Sequence, residues 1–178
     1  GKYLKDAGFD VMSVANNHAG DFGREGRAST QKVLDEQGIK YAGTIDPPAT
    51  IAYLTAKGKR VAFVAFGHNR EMPSINDLDG ARRLVTEAAK NADIVVVSFH
   101  GGAEGSGAQH VPNRNEIFLG ENRGNLPLFA RTVIDAGADL VLGLRTGAAD
   151  GRRRAAAGPD HHAANNLRGG DDAGVGRF

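Results

Sequence analysis

The chain has no cysteine among its 178 residues, so disulfides and thiolate metal sites are excluded, while the compartment stays open. It also lacks an excess of either charge: at a net +1, nothing in its electrostatics calls for nucleic acid or an anionic membrane surface. No apolar run approaches the roughly 20 residues of a membrane span, and no charged, apolar and cleavage-site succession opens the chain. An initiating Met is missing too, since residue 1 is Gly and Lys2 to Ala7 already reads as the end of a helix. The chain is therefore expected to be cut at its amino end, and the missing leader or anchor carries no weight. No internal repeat is visible. The length suits one ordinary domain with its own apolar core.

What is present is an alternation of helical and strand patterns. Tyr3, Leu4 and Ala7 space like a last helical turn stopped by Gly8, and Phe9 to Ala15 follows as a buried strand. Arg24 to Gln37 is a helix ended by Gly38, and Ile39 to Ala42 a strand. Asp46-Pro47-Pro48 breaks the pattern. Thr50 to Thr55 and Arg60 to Phe66 then read as a hairpin turning at Ala56-Lys57-Gly58-Lys59. Leu78 to Asn91 is helical. Ile94-Val95-Val96-Val97 is continuous rather than alternating, which predicts a strand buried on both faces of a mainly parallel sheet. A Gly-rich loop and an irregular stretch lead to Arg123, a helix over Asn125 to Ala136 and a last strand over Ala138 to Leu142.

The polar groups gather where strands end, which is where α/β sheets bind ligands. Asn16-Asn17-His18 follows the first strand, His68-Asn69 the hairpin, and His100 the central strand, with Glu104 in the loop beyond. An amide oxygen beside an imidazole can hold a divalent ion and move a proton. The alternative is that the two Asn cap the next helix and the histidines are loop residues. From Leu144 onward almost no large apolar residue remains. Such a segment cannot offset the roughly 1–2 kcal/mol per residue of backbone ordering, so disorder is expected there.

Ser13-Val14-Ala15-Asn16-Asn17-His18 with Asp21 and Gly23, then Val95 to Glu104, then Asp135 to Gly143, stand in an order and spacing that resembles the bacterial capsule synthesis proteins of the CapA type, linked to poly-γ-glutamate capsule. The resemblance covers residues 1–143 and implies similarity to calcineurin-like metallophosphoesterases. The implied fold is an α/β sandwich of sheets flanked by helices, here partial. Carried onto this chain, it implies two divalent metal ions in the complete domain, Asn17 and His100 as ligands, and His18 as proton donor at a phosphate-like leaving group. Glu104 would support His100 from behind. His68 and Asn69, which also follow a strand, are expected to face the same groove as substrate contacts or to form a solvated turn. A polyanionic polymer or a phosphorylated small molecule is the implied partner, with other capsule-synthesis membrane proteins alongside and no nucleic acid. The implied location is the cell envelope, membrane-anchored or extracellular in the full-length protein. An Asp-x-His and a Gly-Asp block would precede residue 1, and a Gly-His-x-His block should follow Leu142, where the chain reads Gly143-Leu144-Arg145-Thr146. Residues 144–178, rich in Ala, Gly, Arg, Asp and His, are accordingly expected to be a frameshifted or a divergent disordered tail. Three functions stay open at this point: metal-dependent phosphoester hydrolysis, non-catalytic polyanion binding or export, and an inactive remnant.

Overall fold

The continuous apolar run at 94–97 lies at the centre of a sheet, and the rest of the chain layers onto it. A computed structural model describes residues 1–105, 108 and 110–145. In chain order the elements are α1 Lys2–Asp6, β1 Val11–Ser13, α2 Gly23–Glu36, β2 Lys40–Ala42, β3 Thr44–Ile45, β4 Pro48–Ala49, β5 Ile51–Ala56, β6 Lys59–Phe66, α3 Leu78–Lys90, β7 Ile94–His100, β8 Ile117–Phe118, β9 Glu121–Asn122, α4 Leu126–Asp135 and β10 Leu140–Leu144. The main sheet has the order β10-β7-β6-β5, with β6, β7 and β10 parallel and β5 antiparallel to β6. Lys57 and Gly58 turn the β5–β6 hairpin with φ of 47° and 76°, the left-handed geometry of a tight two-residue turn.

Alternation along the strands divides the core in two. On one face Ala62, Val64, Phe66, Val95, Val97 and Phe99 pack against α3 and α4 through Val85, Phe129 and Val133. Phe129 is fully buried, its ring edge-on to Phe66 and Phe99 at 5.1 and 5.2 Å. Both helices start at side-chain caps: Asp77 accepts from Gly80 N at 2.9 Å and Asn125 from Leu128 N at 3.1 Å. On the opposite face Val61, Phe63, Ala65 and Val96 meet Ala15 and Ala42 from the smaller parallel sheet β1–β2, and α2 packs on β2 outside it. The chain is thus an α/β sandwich of two sheets flanked by helices, as expected.

Two local expectations are corrected. The strand expected over Phe9 to Ala15 shrinks to three half-buried residues, which pair with β2 alone among the described residues. The stretch before Arg123 is not wholly irregular: β8 and β9 pair as a hairpin about Leu119 and Gly120, whose φ values are 50° and 79°. Of the expected tail, Leu144 closes β10, and Arg145 donates from Nε to Ala103 O and from Nη2 to Glu116 Oε1, both at 2.7 Å. The remainder, with His161-His162, lies outside the described residues.

Candidate functional site

Parallel pairing brings Phe66 level with Phe99 and Leu144 level with His100, so β6, β7 and β10 end together and their following loops leave from one edge. His100 is the last residue of β7 and is 4% exposed. Its position in the alternation puts it on the face of Val96, toward the smaller sheet. His68 comes to the same place from the loop after β6, with its side chain 1% exposed and its ring stacked on His100 at 5.7 Å and 29°. The polar turn expected at His68-Asn69 is therefore a buried feature. His100 Nε2, both ring nitrogens of His68 and Asn69 Oδ1 are buried without a hydrogen bond. Glu121 Oε2 stands 3.3 Å from His68 Nε2, in range for an ion pair but off the direction a hydrogen bond requires.

Burial pushes the His100 pKa down to about 4, helped by the nearby charges of His68, Arg123 and His18 and opposed by Glu104. Burial, then Arg123, also lowers His68, against the pull of Glu121 and the His100 backbone. Both rings are therefore neutral at pH 7, each with a nitrogen lone pair to offer.

His18 is held differently. Asn16 Oδ1 accepts from His18 N at 2.9 Å, Ala19 N donates to Asn16 O at 3.1 Å, and Asp21 N donates to His18 O at 3.2 Å. This run of turns replaces the helix-capping role open to the two Asn: the N-cap of α2 is Phe22, with no side-chain cap. His18 Nδ1 lies 3.0 Å from Asp21 Oδ2, and the two side chains are 75% and 52% exposed. The turn lies beside the loop that carries His68, since a Cβ on Gly20 would stand 3.8 Å from the Glu71 carboxylate, and the charge of His18 is felt at His100. Asn17 is half-buried beside it.

Glu104 is anchored, with Oε1 accepting from Arg123 Nη1 at 2.8 Å. Arg123 lies in the segment between β9 and α4, its side chain only 4% exposed, where the sequence alone suggests a solvated arginine. Its Nη2 meets Glu121 Oε2 at 2.8 Å. Glu121 and the burial of Arg123 are what sequence reasoning missed, because the hairpin beside them is too short to show a period of two. The glycines after His100 have a steric reason: a Cβ on Gly101 would stand 2.8 Å from Arg123 O, and Gly102 has φ +83°. His110 is exposed, and its backbone carbonyl accepts from Arg145 Nη1 at 3.3 Å.

A cavity of about 490 Å³ lies beside His68, lined by His68, Asn69, Phe66, Met72, Ile45 and Leu84 among others. Neutral imidazole and amide oxygen are suitable donors for a borderline divalent ion, and the orphaned His100 Nε2 fits that role. Among the described residues no three His, Asp or Glu are placed to enclose an ion by themselves. The fit is that of part of a donor set.

A sequence profile described as bacterial capsule synthesis protein PGA_cap matches residues 1–151. The capsule biosynthesis protein CapA of Bacillus anthracis is 31% identical over 160 residues, covering 80% of this chain and 36% of that protein. The PGA biosynthesis protein CapA of Bacillus subtilis (strain 168) is 31% identical over 156 residues, covering 80% of this chain and 38% of that one. The chain thus spans little more than a third of these relatives. A crystal structure of a hypothetical protein from Thermus thermophilus superposes with a TM-score of 0.56 at 20% identity, over 94% of this chain and 56% of that one, a likeness of fold alone.

Proposed function

Because this chain belongs to the bacterial capsule synthesis protein family PGA_cap, we propose that it serves capsule or poly-γ-glutamate biosynthesis at the cell envelope, and that its strand-end site acts on a phosphoester. The observation that carries the reading is the pairing of two unlike histidines at one sheet edge. His18 is solvent-facing and oriented by Asp21, while His100 is buried, neutral and has an unused Nε2.

Asp21 accepts the Nδ1 proton of His18 and fixes the ring, so that Nε2 faces the leaving group. As water forms a new bond to phosphorus and releases its proton to solvent, the P–O bond to the leaving group breaks, and the protonated ring gives its Nε2 proton to the leaving-group oxygen and becomes neutral. A divalent ion, when bound, supplies Lewis-acid polarisation of a phosphoryl oxygen. Asn17 Oδ1 and His100 Nε2 are the atoms that would hold it. Glu104 and Arg123, paired behind His100, keep the following loop in place.

A specific observation favours a second reading: no three carboxylate or imidazole groups enclose an ion among the described residues, which suits a site that binds a polyanion without turnover. One experiment separates the two. A p-nitrophenyl phosphate assay of the 178-residue chain with and without Mn²⁺ is expected to show slow, metal-dependent release that His18→Ala abolishes. No release, with poly-γ-glutamate binding that persists in that variant and without metal, would give the site to binding.

A further inference from the structure

The segment that joins β6 to α3 leaves the sheet edge and returns to it within a few residues. Gly67 N donates to Pro73 O at 2.9 Å and Ile75 N donates to Gly67 O at 2.8 Å, so residues 68–73 form a closed loop. Met72 packs back on the base of this loop: a Cβ on Gly67 would stand 2.2 Å from Met72 Sδ. The loop is thereby fixed along the cavity of about 490 Å³ beside His68, which the first turns of α3 border through Asp77, Ala81 and Leu84. Small-molecule sites usually enclose about 300–1,000 Å³, and this cavity is of that size.

Its walls are of two kinds. Ile45, Phe66, Met72 and Leu84 offer an apolar surface, while the polar groups beside them are unused. Asn69 Oδ1 is buried without a hydrogen bond. Arg70 on the loop and Asp77 at the start of α3 are exposed, and among the described residues neither forms an ion pair, with the other or with any third group. Asp77 uses Oδ1 to cap the helix, and Oδ2 lies over Gly80, where a Cβ would stand 2.2 Å from it. Opposite charges left unpaired on the border of one apolar cavity suit a ligand that carries both charges itself, with an N–H donor for the amide oxygen.

We infer that this cavity binds a short apolar peptide with both ends free, its carboxylate on Arg70, its ammonium on Asp77, a backbone N–H on Asn69 Oδ1 and its side chains against Ile45, Met72 and Leu84. Both ionic contacts lie at the exposed rim, so each adds little affinity and chiefly fixes the direction of the peptide. Neither His18 nor His100 lines the cavity. The inference therefore stands or falls independently of the phosphoester reading.

The test is a ¹H–¹⁵N titration of the metal-free 178-residue chain with the dipeptide Leu-Leu. Saturable amide shifts at the residues that line the cavity are expected at millimolar peptide. Acetylating the amino end of the peptide, or amidating its carboxyl end, is expected to weaken binding by about 3- to 5-fold, the worth of an exposed ion pair. In Arg70→Ala the free carboxylate should lose its advantage over the amide while the ammonium keeps its own. In Asp77→Asn, which retains a helix cap, the reverse is expected. Both positions are exposed, so both variants should fold, and unchanged amide shifts in β6 and β7 confirm it. No shift along the cavity of the wild-type chain, blocked peptides that bind as well as Leu-Leu, or a carboxylate preference that survives Arg70→Ala would overturn the inference.

Discussion

The two sides of the strand-end site hold their histidines by opposite means. On the main-sheet side, His68 and His100 are buried, stacked and short of hydrogen bonds, and they are placed by long-range pairing of β6 with β7 and of β7 with β10. On the Asn16–Gly23 side, His18 is exposed, hydrogen-bonded to Asp21, and placed by a run of local turns. The first arrangement gives up stability to keep two rings neutral and available, since an unpaired buried polar group costs about 1–3 kcal/mol. The second costs little and leaves the ring free to exchange protons with solvent. A reaction that needs a fixed electron-pair donor and a proton donor is served by this division of environments.

If the buried side depends on its ion-pair support, Arg123→Ala should have the largest effect. Removing the 4%-exposed guanidinium takes the cation away from Glu104 and Glu121, which are 25% and 45% exposed, and a loss of about 1–3 kcal/mol in urea unfolding is expected. A loss under about 1 kcal/mol would show that the hairpin stands without it. Acid should then act on the buried side. The His100 pKa lies near 4 in the folded chain against 6.5 when unperturbed, so between those values the unfolded chain binds more protons. Stability is therefore complete above about pH 6.5 and falls as pH drops toward 4. His100→Gln should flatten that part of the pH–stability curve; a curve that keeps its slope in this variant would contradict the assignment.

Smaller effects follow from the orphaned nitrogen. His100→Leu replaces an unsatisfied polar group with an apolar one, and at pH 7 its stability should stay within about 1 kcal/mol of wild type or exceed it. A large loss would mean that Nε2 has a partner in solution. Smallest is Asp21→Ala, which removes an exposed pair and should change stability by no more than about 0.5–1 kcal/mol while lowering turnover. Equal turnover in this variant would show that His18 needs no orienting carboxylate.

The same contrast governs what could be read in the sequence. The long elements were legible because their patterns are strong: the 94–97 valine-rich run became the buried parallel β7, and the Lys57-Gly58 turn made its hairpin. The ends of those strands pointed to His18, His68 and His100, since each follows an apolar run closely. The stacking of His68 on His100 was not legible, because it depends on the register of β6 against β7, which no local pattern encodes. The burial of Arg123 was hidden for a like reason. An arginine beside a two-residue strand resembles a solvated loop until its two carboxylates, at positions 104 and 121, are brought together in space.

The most direct test of the account is paramagnetic titration of the 178-residue chain with Mn²⁺, read at the six imidazole resonances. If Asn17 and His100 are the donors of one strand-end site, the His100, His68 and His18 signals should broaden together at low Mn²⁺ while exposed His110 stays sharp, with fast exchange because the donor set is partial. Uniform broadening of all six, or loss of His110 before His100, would remove the metal from this site and with it the proposed chemistry.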